Sequence, residues 1–187
     1  MLPFIIYTVA DESKQKALED LYNTHGVRMY NAAYRILENR QDAEDALQDT
    51  FIKIYKNIDR FMSLSGDDLI LLIIIYTRNT ARDIKRRRNT EKKYTAERFA
   101  DEDGELVFPD IADTGADVEE TVINNELIKT VRDCIDGLPE GQRDVIIMKY
   151  RLGMREREIA EALGISETAV SSRVLRAKEG IRKQLTI

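Results

Sequence analysis

Apolar residues return at helical spacing along most of this chain, and the breaks between the periodic stretches are short and polar. Residues from about Glu12 to Leu37 read as a helix broken or bent near His25-Gly26, with Val27, Tyr30, Tyr34 and Leu37 forming one apolar face. Asn39 to Gln41 interrupts the pattern. A long helix follows, with Ala43, Leu47, Thr50, Ile54, Ile58 and Phe61 on one side and Asp42, Asp45, Gln48, Asp49, Lys53 and Lys56 on the other. Its acids come early and its lysines late, which suits the helix dipole. Ser63 to Asp68 reads as a polar loop, with Asp68 a possible N-cap. Leu69 to Tyr76 is continuously apolar, a run that a buried strand or a buried helix could carry. Its continuation through Thr77, Arg78, Asn79, Thr80, Ala81, Arg82 and Asp83 favours one long helix that ends in a basic run.

Phe99 to Gly115 carries Gly104, Pro109 and Gly115 among acids and reads as a linker. Val118 to Ile135 then forms a helix ending at Gly137. Pro139 sits near the start of the next one, which runs to about Tyr150 and tolerates the missing N–H there. Two further helices are separated by Leu163-Gly164-Ile165-Ser166. The expected fold is all-α, with two small helical domains at 1–98 and 121–187 joined by an acidic flexible linker at 99–120.

Composition agrees with small helical cores: 187 residues, 43% hydrophobic, 34% charged, three Pro, nine Gly and no Trp. Cys134 and His25 are the only residues of their kinds. An internal disulfide is therefore excluded, a reducing cytoplasm fits, and a zinc or Cys-His catalytic site is not expected. No nucleophile, base and metal set converges in the sequence, so neither enzymatic activity nor a cofactor is expected. Met1 to Ala10 is apolar but lacks a basic n-region and is too short to span a bilayer; it reads as an arm that packs. No membrane insertion is expected.

Net charge is −5, which by itself argues against nucleic acid, but the distribution reverses that impression. Arg78, Arg82, Lys85, Arg86, Arg87, Arg88, Lys92, Lys93 and Arg98 form one basic stretch. Phe99 to Glu126 has acids and no basic residue. The C-terminus turns basic again with Arg173, Arg176, Lys178, Arg182 and Lys183.

The second basic patch belongs to a motif. Ile159, Ala160 and Leu163 make the inner face of a short helix, and small Ala160 allows a second helix to cross closely. Gly164 supplies the positive φ of a tight turn, Ile165 plugs the space between the helices, and Ser166 caps the second helix. Val170 and Val174 face back onto the first. This is the helix-turn-helix spacing, over Arg155 to Arg182. Ser166, Glu167, Thr168, Ser171, Ser172, Arg173, Arg176 and Lys178 are the candidate DNA contacts. The N-terminal half suits base edges, whereas Arg176, Lys178 and Arg182 suit phosphates.

At these residues the chain resembles sigma-70 family factors. LPEGQRDVIIMKYRLGMREREIAEALGISETAVSSRVLRAKEGIRKQL resembles their region 4, which reads the −35 promoter element. YRILENRQDAEDALQDTFIKIYKNIDRF resembles region 2.1 to 2.2, and LLIIIYTRNTARDIKRRR region 2.3 to 2.4. Region 2 joined directly to region 4 is the layout of the extracytoplasmic-function group. The resemblance implies that Asp45, Gln48 and Asp49 dock on the clamp coiled coil of the polymerase β′ subunit. It implies that Arg78, Asn79, Arg82, Asp83, Lys85 and Arg86 engage the −10 element, and that the loop Ser63 to Asp68 captures a flipped base. The implied partners are core RNA polymerase through its β and β′ subunits, promoter DNA and an anti-sigma factor, with the apolar surface around Ile70, Ile74 and Ile75 a candidate contact for the last. The acidic linker would follow the polymerase's RNA path. A Trp is common in the family near Leu72, which leaves Tyr76 as the only aromatic in Leu69 to Arg88, and a Lys is frequent where Ser171 stands. The competing reading is a stand-alone helix-turn-helix regulator. It accounts for Arg155 to Arg182 but leaves Asp45 to Asp49 and Arg78 to Arg88 unexplained.

Overall fold

The structure, a computed structural model, describes residues 3–95 and 122–185, and their side chains except for residues 91–128. The linker and the side chains of Lys92, Lys93 and Arg98 lie outside the described residues. Those described form helices and no strand. The first group contains α1 (Phe4–Thr8), α2 (Glu12–Leu37), α3 (Arg40–Lys56), α4 (Ile58–Met62) and α5 (Gly66–Thr95). Local chemistry sets these limits. The Asp11 carboxylate accepts hydrogen bonds from the amides of Ser13 and Lys14 at 3.0 and 3.2 Å and starts α2. Glu38, at φ 52°, turns the chain left-handed and ends it. Asn39 then caps the Asp42 amide at 3.0 Å, so α3 packs straight back on α2.

Three sequence expectations are corrected here. Helix α2 runs unbroken through His25-Gly26. A Cβ at Gly26 would meet the Tyr22 ring at 3.2 Å, so this glycine makes room for the ring rather than breaking the helix. Tyr22 in turn meets Phe51 edge-on, with centroids 5.8 Å apart. The buried face of α2 is only partly the expected one: Leu37 is buried and Tyr30 packs partly buried against the core, but Val27 is 77% exposed and Tyr34 also points outward. Leu18, Leu21, Met29, Ala33 and Ile36 carry the rest of the burial. Finally, the expected helix over Ala43 to Phe61 divides at Asn57, whose side-chain amide donates to the Lys53 carbonyl at 3.2 Å.

Helix α5 begins at Gly66, whose φ is 55°, so the expected loop contracts to Ser63–Ser65 and Asp67 and Asp68 fall in the first helical turn. The apolar run is helical as expected. Leu72, Ile73, Ile75 and Tyr76 are buried, and Tyr76 packs at right angles to Phe61 with centroids 5.0 Å apart. Thr77 is buried too, and its hydroxyl donates to the Ile73 carbonyl at 2.8 Å, satisfying itself within the helix. The α1 arm packs as expected, through buried Ile6 and Val9.

The second group is α6 (Val122–Asp136), α7 (Glu140–Ile146), a π-helical turn (Ile147–Arg151), α8 (Glu156–Leu163) and α9 (Glu167–Leu185). Pro139 precedes α7 as expected. A Cβ at Gly180 would come within 3.0 Å of Leu138, so α9 passes the α6–α7 connection at glycine distance. Apolar burial is continuous from Ile6 through Leu72 and Tyr76 to Val145, Ile159 and Val174, so the two groups share one core through α5. No helix of the described residues is long and apolar enough to cross a membrane.

Phe51 is fully buried at the junction of α2 and α3. Phe51→Ala removes a large aromatic from a closed site and should cost about 3–5 kcal/mol in urea unfolding. A loss below about 1 kcal/mol would show that the site collapses around the change.

Candidate nucleic-acid and polymerase surfaces

The helix-turn-helix is built as its spacing requires. Gly164 sits at φ 62°, ends α8 and donates to the Glu161 carbonyl. Ile159, Ala160 and Leu163 of α8 meet Val170, Val174 and Ala177 of α9 in the core, and Ile165 packs against the same cluster. The Ser166 hydroxyl accepts from the Ala169 amide at 3.2 Å, the expected cap. Ser166, Glu167, Thr168, Ser171, Ser172, Arg176 and Lys178 are exposed along α9. Arg173 is half-buried, with its guanidinium 3.4 Å from where a Gly141 Cβ would stand, so it lies along α7. Lys178 rests over the Tyr150 ring, 5.4 Å from the centroid.

One brace in this motif was not legible in the sequence. Glu156, at the start of α8, accepts hydrogen bonds from both Lys149 and Ser171. These two bonds hold its carboxyl below the usual carboxylate range, Lys149 contributing more than Ser171. The Ser171 hydroxyl also contacts the Glu167 carbonyl at 3.1 Å. Ser171 thus ties the recognition helix to α8 while facing outward. Residues fifteen positions apart carry no periodic signature, so only the fold brings them together.

The residues matched to the −10 reader line the second half of α5. They are largely engaged within the chain. Arg78 lies between Glu140 and Asp144 of α7, with Nε 3.0 Å from Glu140 and Nη2 3.1 Å from Asp144; Arg82 also pairs with Glu140. Asp83 is 3.6 Å from Lys53 and 3.0 Å from Arg86, and Lys85 donates to the Ile36 carbonyl at 3.0 Å. Asp83 and Lys85 therefore brace α5 against α3 and α2, and Arg86 is exposed beyond them. The Asn79 amide nitrogen is buried without a partner. Tyr76 is buried in the core, so it presents no ring for base stacking here.

On α3, Asp45 is exposed, and Gln48 and Asp49 are half-exposed beside it. Exposed Ile52 continues the same face one turn on. Gln48 accepts a hydrogen bond from the Phe4 amide at 2.8 Å, which places α1 at the edge of this surface.

The family profile for sigma-70 region 2 matches residues 21–91, and that for sigma-70 region 4 matches residues 128–179. The ECF RNA polymerase sigma factor SigW of Bacillus subtilis is 32% identical over 171 residues, covering 91% of this chain and 90% of that protein. The chain belongs to the extracytoplasmic-function sigma factors. The RNA polymerase sigma factor NccH of Alcaligenes xylosoxydans is 31% identical, covering 90% of this sigma factor and 87% of its own length. A solved structure of CnrH in complex with the cytosolic domain of CnrY is 24% identical, with a TM-score of 0.36, covering 99% of this chain and 97% of that one.

Because the Glu156 carboxyl is held low in the folded sigma factor, its contribution is present at neutral pH and is lost as pH falls through its depressed value. Glu156→Gln should therefore lower the thermal midpoint of the α7–α9 unit near pH 7 and converge with the parent in acid. Parallel pH–Tm curves would contradict this brace.

Proposed function

We propose that this sigma factor docks on core RNA polymerase through Asp45, Gln48 and Asp49 and delivers its two DNA readers to a promoter. Ser166, Glu167, Thr168, Ser172 and Arg176 on the open face of α9 read and track the −35 element, with Arg173 and Lys178 at the flanks and Ser171 setting the helix on its α8 support. Arg78, Asn79, Arg82 and Arg86 act on the −10 element, where captured bases offset the stacking lost on opening. Asp83 and Lys85 hold the α5 helix in place for them. The clamp coiled coil of the β′ subunit is the partner for the α3 face, and the β subunit is reached through region 4.

The observation that supports this reading most is the pairing of two units in one chain. A capped helix-turn-helix with an exposed recognition face stands beside an acidic, exposed α3 face that a stand-alone regulator would not need. An anti-sigma protein is a further proposed partner. Ile70 and Ile74 are only half-buried and offer it a surface, whereas Ile75 is fully buried and does not.

Run-off transcription from genomic fragments with purified core polymerase should give initiation that requires the sigma factor and selects particular promoters. DNA binding with no polymerase-dependent initiation would support the stand-alone regulator. Asp45→Lys with Asp49→Lys should abolish core binding and leave the helicity of the free chain unchanged. Arg176→Ala should weaken binding to all −35 sequences alike and reduce the salt slope by about one.

A further inference from the structure

The recognition helix carries two neighbouring serines in different situations. Both are exposed on α9, and both contact the carbonyl four residues back, Ser172 at the Thr168 oxygen at 2.9 Å and Ser171 at the Glu167 oxygen at 3.1 Å. Ser171 also donates to the Glu156 carboxylate at the start of α8. The other carboxylate oxygen of Glu156 accepts from Lys149 in the π-helical turn. Three side chains thus run from that turn, across the start of α8, onto the face of α9 that stands open to DNA.

A serine hydroxyl has one proton to donate and two lone pairs with which to accept. Both protein partners of Ser171 are acceptors. Lys149 and Ser171 hold the Glu156 carboxyl below its usual range, so at neutral pH it is ionised and has no proton to give back. A bond to an ionised acceptor is about twice as strong as one to a neutral carbonyl. The Ser171 proton is therefore committed inside the protein, whereas that of Ser172 rests on a neutral carbonyl and can swing to a base at little cost. What Ser171 has left to offer is lone pairs. Lys149 answers the Glu156 charge at close range, so the carboxylate can stand beside a groove without opposing phosphates as a free anion would. On the major-groove edges of the bases, adenine N6 and cytosine N4 donate, while guanine O6 and thymine O4 accept.

We infer that Ser171 is a specificity-determining residue of acceptor polarity. It selects a base pair of the −35 element that presents an amino group to it, adenine or cytosine on the facing strand, and rejects guanine or thymine there. Glu156 acts through Ser171, as a positioning residue that holds the hydroxyl proton away from the groove. Rejection follows because guanine O6 or thymine O4 would meet lone pairs, acceptor against acceptor. The inference rests on the reading of α9 as the −35 reader.

The test uses the holoenzyme, assembled from the full chain and core polymerase, on promoter fragments randomised across the −35 element. Bound fragments are sequenced and every base is scored at every position. In the parent, one position should favour adenine or cytosine over guanine or thymine on one strand, by about fivefold. Ser171→Ala should bring that position to near parity and keep the ranking at the others. Glu156→Ala should flatten the same position, because the freed hydroxyl can donate as well as accept. Ser171→Lys, which offers only donors, should invert the preference toward guanine or thymine. If Glu156→Ala weakens binding to all sequences alike and keeps their ranking, the contact merely seats α9 and the inference is overturned. An unchanged ranking in Ser171→Ala overturns it too. The wider reading fails separately. A parent holoenzyme that initiates with no preference at any −35 position would mean that α9 is not the −35 reader, and the role of Ser171 falls with it. A preference within the element that ignores both Ser171 and Glu156 would leave α9 as the reader and overturn the role of Ser171 alone.

Discussion

Helix α5 has to be two things at once, and the rest of the molecule is arranged around that constraint. Its first turns carry Leu72, Ile73, Ile75 and Tyr76, which must be buried. Its later turns carry Arg78, Arg82 and Arg86, whose charge is useful only when solvent or an anion can reach it. Helices α2 and α3 cover the apolar side. Arg78 and Arg82 stand on the side of α5 that those two helices leave uncovered, and there the chain supplies α7. The guanidinium–carboxylate contact therefore satisfies charges that a long amphipathic helix would otherwise leave half-buried and alone.

This arrangement has an energetic logic. An ion pair near a surface contributes little, and a buried one is costly to break from one side because the remaining charge loses its partner. Asp144 shows the tension directly. Burial pushes its carboxyl above the usual carboxylate range, and the nearby Arg78 and Arg82 pull against that shift. The open recognition face of α9 needs no such balance, since its hydroxyls find neutral or surface partners, as Ser172 does at the Thr168 carbonyl at 2.9 Å and Ser171 at Glu156.

Much of this was legible in the sequence for physical reasons. The helix-turn-helix could be read from Ala160, Gly164 and Val170 because each position has a strict steric demand that few residues meet. The helical state of Leu69 to Tyr76 followed from its continuation into a charged helix. What failed was part of the face on α2. Val27 and Tyr34 have the right period, and periodicity alone cannot say which apolar positions meet a neighbour. The break at Gly26 failed similarly, because a glycine that makes room for Tyr22 has the same spelling as one that breaks a helix. The α5–α7 contact could not be read at all: Arg78 and Asp144 are sixty-six residues apart, and charge pairing at that distance leaves no local pattern.

The central claim is that Arg82 serves two alternative anionic partners, α7 in the free chain and promoter DNA in the holoenzyme. A charge exchange, Arg82→Glu with Glu140→Arg, separates the two roles. Measured together, interdomain energy transfer in the free protein and promoter opening by the holoenzyme give the answer. The account predicts that the exchanged protein keeps its closed transfer efficiency and loses opening at the −10 element. Loss of closure despite the restored pair, or opening at the parental rate, would contradict it.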